Sequence, residues 1–275
     1  MYRFYDARHG RLMSLGRPPA RSAGPTLARP GRRPPWYGRA VPPVLVLWDV
    51  DFTLVDASGI GRTLYQEALA ELHGLELPAG MQSMGGRTDA SIALEVLTLA
   101  GVADPLNHIA AFQEFQAARA PMLAEELRGS GRVLPGAAEA VAALAEPRYA
   151  GQVVQSLLTG NIPALAEVKL SALGLTQHLD LSIGAYGHLS QVRADLVAVA
   201  RANAAARHGG DFSGRATVLI GDTPKDVEAA TATGARSIAV ATGSYSVEQL
   251  TTTTADVVLA DLTDTAALVA AVLAY

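Results

Sequence analysis

The chain has 275 residues, no cysteine, 49% apolar and 17% charged residues, and a formal charge of −4. That composition suits a soluble globular protein long enough for one large domain or for a core carrying an insertion. It excludes disulfides, thiolate metal sites and cysteine nucleophiles, and no apolar run is long enough to span a bilayer, so a cytoplasmic protein is expected.

Charge is unevenly placed. Residues 1–41 hold nine arginines against one acid, Asp6, a net +8 that leaves −12 for the remainder. Six prolines interrupt the same stretch, which lacks a helical or strand period and reads as a disordered, basic Arg/Pro-rich extension. A nucleic-acid or membrane tether and a functionless extension both fit that composition. For the rest of the chain no nucleic acid or membrane partner is expected. Lysine is scarce: Lys169 and Lys225 are the only two.

Pro42-Pro43 precedes a first strand, Val44 to Asp49, written "VLVLWD". "RTLYQEALAELHG" (62–74) spaces its apolar residues as a helix and stops at Gly74. "RTDASIALEVLTLAG" (87–101) is a second helix, and a longer, broken one covers 105–127. Nothing between 62 and 130 reads as a strand, so a helical block follows the first strand directly. From Val133 the texture changes to alternating strands and helices: a helix in "VLPGAAEAVAALAE", a buried strand in "GQVVQSLLTGN", a helix in "PALAEVKLSALG" opened by Pro163. A short strand is expected at "LDLSIGA", then a helix over "VRADLVAVARANAAARHG", a strand at "ATVLIGD", a helix from Pro224, strands at "SIAVATG" and "DVVLA", and a terminal helix. Such alternation predicts a doubly wound, Rossmann-like α/β core with a parallel sheet. The expected domains are the extension over 1–41, the core over 42–61 and 131–275, and the inserted helical block over 62–130.

Three strands end in polar residues, where ligands of open parallel sheets gather. The first ends in Asp49-Val-Asp51-Phe-Thr53, another in Thr159-Gly160-Asn161, and a later one in Gly221-Asp222-Thr223-Pro224-Lys225-Asp226. Alternate residues of a strand point one way, so Asp49 and Asp51 would face a common site and repel unless a cation sits between them. Oxygen ligands suit a hard cation such as Mg²⁺. A carboxylate beside it can attack phosphorus while a second moves protons. Thr159 and the backbone N–H groups of Gly160 and Asn161 would hold the phosphoryl oxygens.

"DVDFT", "LLTGN" and "IGDTPKDVEAA" resemble, in order, the first, second and fourth motifs of the haloacid dehalogenase superfamily of Asp-nucleophile hydrolases, with the helical block in the place of its C1-type cap. The likeness covers about 41–260 and is nearest the phosphoglycolate-phosphatase-like branch. It implies Asp49 as nucleophile, Asp51 as general acid/base whose backbone carbonyl touches the metal, Asp222 as a further metal ligand, Asp226 as a residue orienting metal-bound water or a neighbouring backbone, and Thr159 as a phosphoryl contact. Two departures stand out. Phe52 replaces a common glycine after the second Asp, which strains the backbone if φ is positive there. The third motif's lysine is missing from "GAYGHLSQVRADL"; Lys169, leaning back along its helix, is the preferred charge-balancing residue and Arg193 the alternative.

Arg87, in "GGRTD", would meet an anionic leaving group or simply open its helix in solvent. The six histidines show no metal spacing. The resulting expectation is a Mg²⁺-dependent phosphatase acting on a small phosphorylated metabolite through an aspartyl-phosphate. A sugar phosphomutase shares every core motif. A 2-haloacid dehalogenase would not need Asp51, and a phosphonoacetaldehyde hydrolase would need a cap lysine that 62–130 lack. A catalytically silent binding protein would not need Asp49, Asp51, Thr159 and Asp222 together.

Overall fold

The computed structural model describes residues 3–6, 11–14 and 43–274. Strands β1 (Arg3–Asp6) and β2 (Arg11–Ser14) pair antiparallel as a separate unit; the sequence did not point to them. Otherwise the expectation of a disordered extension over 1–41 lies outside the described residues.

The second unit begins with β3 (Val44–Trp48), fully buried and without a charge, as a strand covered on both faces must be. A tight turn leads to β4 (Val55–Asp56), and then come helices α1 (Ile60–His73), α2 (Asp89–Leu99), α3 (Ile109–Arg119) and α4 (Ala124–Ser130). Strand β5 (Arg132–Val133) pairs antiparallel with β4, so the helical block is entered and left through one short two-stranded stem. Single-turn 3₁₀ segments at Pro105–His108 and Ala120–Leu123 flank α3, which accounts for the broken pattern over 105–127.

Helix α5 (Ala137–Leu144), β6 (Val153–Thr159), α6 (Pro163–Ala172), β7 (Ala185–Tyr186), α7 (Arg193–His208), β8 (Thr217–Gly221), α8 (Pro224–Ala232), β9 (Arg236–Val240), α9 (Val247–Thr251), β10 (Val257–Leu259) and α10 (Thr265–Leu273) complete the order. The strand expected at "LDLSIGA" is shorter and later. Leu181–Ile183 form a 3₁₀ turn, where Asp180 accepts the Ser182 N–H, and only Ala185–Tyr186 join the sheet.

The sheet is parallel throughout, in the order β10-β9-β8-β3-β6-β7. Alternation along β3 divides the core. Val44, Val46 and Trp48 pack with α5, α6 and α10 on one face, while Leu45 and Leu47 pack with α7 and α8 on the other. The chain moves outward from β3 to β6 and β7, then returns to β8 on the other side of β3. That reversal opens a crevice at the carboxyl ends of β3 and its neighbours. A third apolar cluster fastens α1, α4 and the Ala120–Leu123 turn onto α6, and a fourth fills the interior of the helical block around Phe112 and Leu97.

Candidate active site

All three polar strand ends meet in that crevice. Asp49 leaves β3 with its N–H donated to Ile220 O across the sheet at 2.9 Å, and it is 5% exposed. Asp222 follows β8 directly, and Asp226 sits in the first turn of α8. One carboxylate oxygen from each of Asp49, Asp222 and Asp226 lies within 4.8 Å of the others, and all three residues are buried.

The cations are shared out in a way the sequence did not rank. Arg193 Nη2 contacts Asp49 Oδ1 at 3.1 Å and Asp226 Oδ1 at 2.6 Å, and donates to Leu158 O at 3.1 Å. Lys169, only 2% exposed, leans back along α6 as expected but reaches Asp51, at 2.6 and 2.7 Å, and Asn161 Oδ1 at 2.8 Å. So Arg193, and not the preferred Lys169, stands beside the expected nucleophile. One feature of the sequence could have shown this. A cation at the first position of a helix is misplaced with respect to the helix dipole unless acids outside the helix hold it, and Arg193 opens α7.

Asn161 ties the turn after β6 to the rest. Its Nδ2 donates to Asp51 Oδ2 at 2.8 Å and to Thr159 Oγ1 at 2.7 Å, and its own N–H donates to Thr159 Oγ1 at 3.2 Å. Asp226 Oδ2 accepts from Thr223 N–H at 3.0 Å and Thr223 Oγ1 at 2.6 Å, closing the N-terminus of α8. With its other oxygen on Arg193, Asp226 orients neighbours more than it offers a free ligand atom.

Burial pushes the Asp49 carboxyl up to about 6; Arg193 pulls against this, and the charges of Asp226 and Asp51 add to it. Burial, with Asp49 and Asp226 next, drives Asp222 up to about 8. Burial opposes the Arg193 charge, but Asp226 and Asp49 more than offset that and hold the guanidinium protonated. Four carboxyl groups (Asp49, Asp51, Asp222, Asp226) meet two side-chain cations, Lys169 and Arg193. With all four ionised, the excess of two negative charges on hard oxygen donors would fit a divalent cation such as Mg²⁺. Asp49 and Asp222 are the residues that would hold it.

Phe52 does adopt positive φ, +56°, a conformation that strains an aromatic residue by about 1–2 kcal/mol. The turn is tied down at both ends: Phe52 N–H donates to Val55 O at 2.7 Å, and Thr242 Oγ1 donates to Phe52 O at 2.5 Å. Gly243, next along from Thr242, leaves room for the metal-side acid, because a Cβ there would stand 1.9 Å from Asp222 Oδ2.

A cavity of about 200 Å³ opens from this rim toward the helical block, with Asp49, Asp51, Thr159 and Arg193 on one side and Ile60, Tyr65 and Ile92 among the residues opposite. Asp89 also borders it, buried at the start of α2. The Tyr65 hydroxyl donates to its Oδ1 through a short contact and Gln113 Nε2 to its Oδ2 at 2.9 Å. Burial raises its pKa, and these hydrogen bonds oppose the shift. Sequence reasoning missed this group; the "RTDAS" helix start marks Asp89, but nothing local says it is buried. Arg87 also lines the cavity. Its guanidinium forms an ion pair with Glu95 and donates to Ser91 O at 3.1 Å.

Residues 194–265 match the model of the HAD-hydrolase-like family. The backbone is similar to a putative beta-phosphoglucomutase from Bacteroides vulgatus, with 18% identity and a TM-score of 0.57 over 86% of this chain and 92% of that one. It is similar to a predicted phosphoglycolate phosphatase from Haemophilus somnus 129pt, with 17% identity and a TM-score of 0.56 over 82% and 98% of the two chains. CbbY from Rhodobacter sphaeroides, solved in complex with phosphate, superposes with 20% identity and a TM-score of 0.55 over 80% and 95%. The fold is that of the haloacid dehalogenase-like hydrolases. No curated protein sequence matches the chain. Among the described residues no helix is long and apolar enough to cross a membrane.

Proposed function

We propose that the protein is a Mg²⁺-dependent phosphatase of small phosphorylated metabolites, working through an aspartyl-phosphate on Asp49. The observation that supports it most is the ring of four acids and two cations at the sheet's switch point, with Asp49 paired to Arg193 and Asp51 paired to Lys169. That pairing gives the two neighbouring carboxylates different surroundings, which is how two like groups take different roles.

In the first step an Asp49 oxygen attacks phosphorus and the bond from phosphorus to the leaving oxygen breaks. Asp51 gives that oxygen its proton and becomes a carboxylate beside Lys169 and Asn161. In the second step Asp51 takes a proton from water, whose oxygen attacks the same phosphorus; the acyl-phosphate bond breaks, releasing inorganic phosphate and restoring Asp49. Arg193 and the Thr159–Asn161 turn hold the phosphoryl oxygens, where charge shifts during transfer. A bound Mg²⁺ supplies neutralisation of the phosphoryl charge and allows the Asp49 carboxylate to approach it. The helical block acts as a cap that keeps bulk water from the reacting atoms.

Phosphate release from a panel of metabolite monoesters, with and without Mg²⁺, tests the reading. Release should depend on Mg²⁺, vanish in Asp49→Asn, and leave a phosphorylated peptide containing Asp49 after acid quenching. Undiminished turnover in Asp49→Asn would overturn the assignment. A phosphomutase would instead return the phosphoryl group to a sugar hydroxyl, and the same panel would show isomerised product without free phosphate.

A further inference from the structure

Three backbone segments approach each other unusually closely beside the Thr159–Asn161 turn. Asp89 N–H, at the start of α2, donates to Gly160 O at 2.8 Å, and the next amide, Ala90 N–H, donates to Gly187 O at 3.0 Å. Gly187 N–H in turn donates to Asn161 O at 2.9 Å. The first N–H groups of a helix have no partner within it; here two of them are satisfied by carbonyls of the core. Neither glycine is needed for its φ, since neither is among the positive-φ residues. The need is for space. A Cβ on Gly187 would lie 1.9 Å from Gly160 O and 2.6 Å from Asp89 N, and one on Gly160 would lie 1.9 Å from Arg87 O.

The contact therefore joins the helical block to the turn that borders the reacting groups, through main chain alone. Any displacement of Gly160 moves the acceptor of Asp89, and Gly187 holds Asn161, whose side chain grips Asp51, Thr159 and Lys169. We infer that Gly187 is a positioning residue that couples the seating of a phosphoryl group on the Thr159–Asn161 turn to the docking of α2. Phosphate on the turn and the block on the core are then two halves of one event, and loosening either loosens the other. The inference rests on reading that turn as the phosphoryl seat.

Hydrogen exchange at the Asp89 and Ala90 amides of the full chain tests it, with Mg²⁺ present and with or without inorganic phosphate. Phosphate should slow exchange at both amides in the wild type by about 10-fold or more, and should not do so in Gly187→Ala. The same variant should lose about 10²-fold in kcat with p-nitrophenyl phosphate, the scale of a 1 Å misplacement, with a smaller change in KM. Gly129→Ala, in α4 with nothing within 4 Å of the added carbon, should match the wild type. If Gly187→Ala does not fold, Asp89→Ala and Asp89→Pro give the same comparison. Proline fits the first helical position after the extended Thr88 but lacks the N–H. It should lose phosphate-dependent protection at Ala90 where alanine keeps it. Equal protection in those two, or unaltered protection in Gly187→Ala, overturns the coupling. An active wild type whose amides ignore phosphate overturns the coupling alone; a wild type that neither turns over substrate nor binds phosphate overturns the functional reading with it.

Discussion

The rim of the sheet and the helical block above it are built on different principles, although both line one cavity. At the rim, charged groups dominate: Asp49, Asp51 and Asp222 at strand ends, Asp226 and Arg193 in first helical turns, and Lys169 reaching back from the last turn of α6. In the block, the facing residues include Ile60 and Ile92, and the one buried acid, Asp89, has both oxygens occupied by the block's own Tyr65 and Gln113. On the proposed function, a charged group at the rim would act on phosphorus whatever is attached to it, whereas the block would meet what is attached. That reading assigns chemistry to the core and discrimination to the block, and it can be attacked from both sides.

Asp49→Asn should produce the largest effect, a loss of about four orders of magnitude or more in turnover on every substrate alike. A loss confined to some substrates would blur the division. Arg193→Met comes next. It leaves Asp49 and Asp226 buried without their shared cation, so it should destabilise the protein by about 3–5 kcal/mol as well as inactivate it. Lys169→Met should spare folding more, because its partner Asp51 is more exposed than Asp49, and should lower kcat by about 10²-fold. A kcat equal to the wild type's in Lys169→Met would show that Lys169 does not act through Asp51.

Chelation of the divalent ion should abolish turnover, and its effect on stability should depend on pH. Asp49 at about 6 and Asp222 at about 8 are both raised from 3.8. They favour the fold fully below the ordinary carboxylate value, and that support is lost as pH rises through 6 and then 8. The metal-free melting temperature should therefore fall between about pH 4 and about pH 8, and the gain on adding Mg²⁺ should grow over the same range. A gain independent of pH would mean that the acids already ionise without the cation.

Effects in the block should be smaller and selective. Tyr65→Phe removes a donor from buried Asp89, destabilising by about 1–3 kcal/mol. It should also change the kcat/KM ratio between bulky and small monoesters by about 10-fold, while p-nitrophenyl phosphate turnover retains its Mg²⁺ dependence. A uniform fall across substrates would place Tyr65 with the chemistry. The smallest effect is expected at Phe52, where glycine accepts positive φ freely. Relief of strain there is partly offset by glycine's greater unfolded-state freedom, leaving a net gain within about 1 kcal/mol, read by chemical denaturation.

Much of this was written locally. The buried run Val44–Trp48 can only be a covered strand, because alternate side chains fill both faces of the sheet. The strand–helix alternation after Val133 fixes a parallel sheet, and a sheet with that order collects its strand-end residues in one crevice. Asp49, Thr159 and Asp222 were therefore legible as neighbours before any coordinate was known. The short strand at Ala185–Tyr186 was placed too early, since Asp180 drew the preceding residues into a 3₁₀ turn.

What the tertiary structure alone decided is which charge meets which. Lys169 and Arg193 are both helical cations within reach of the site, and their choice of Asp51 or Asp49 turns on packing distances that no local pattern encodes. Arg87 pairs with Glu95 at the cavity's edge, and Asp89 gains a buried setting from Tyr65 and Gln113, each 24 residues away, in opposite directions. Strand ends are set by hydrogen-bond geometry that the sequence carries in its periodicity. Ion pairs depend on side-chain reach and burial across elements, and those exist only once the elements have packed.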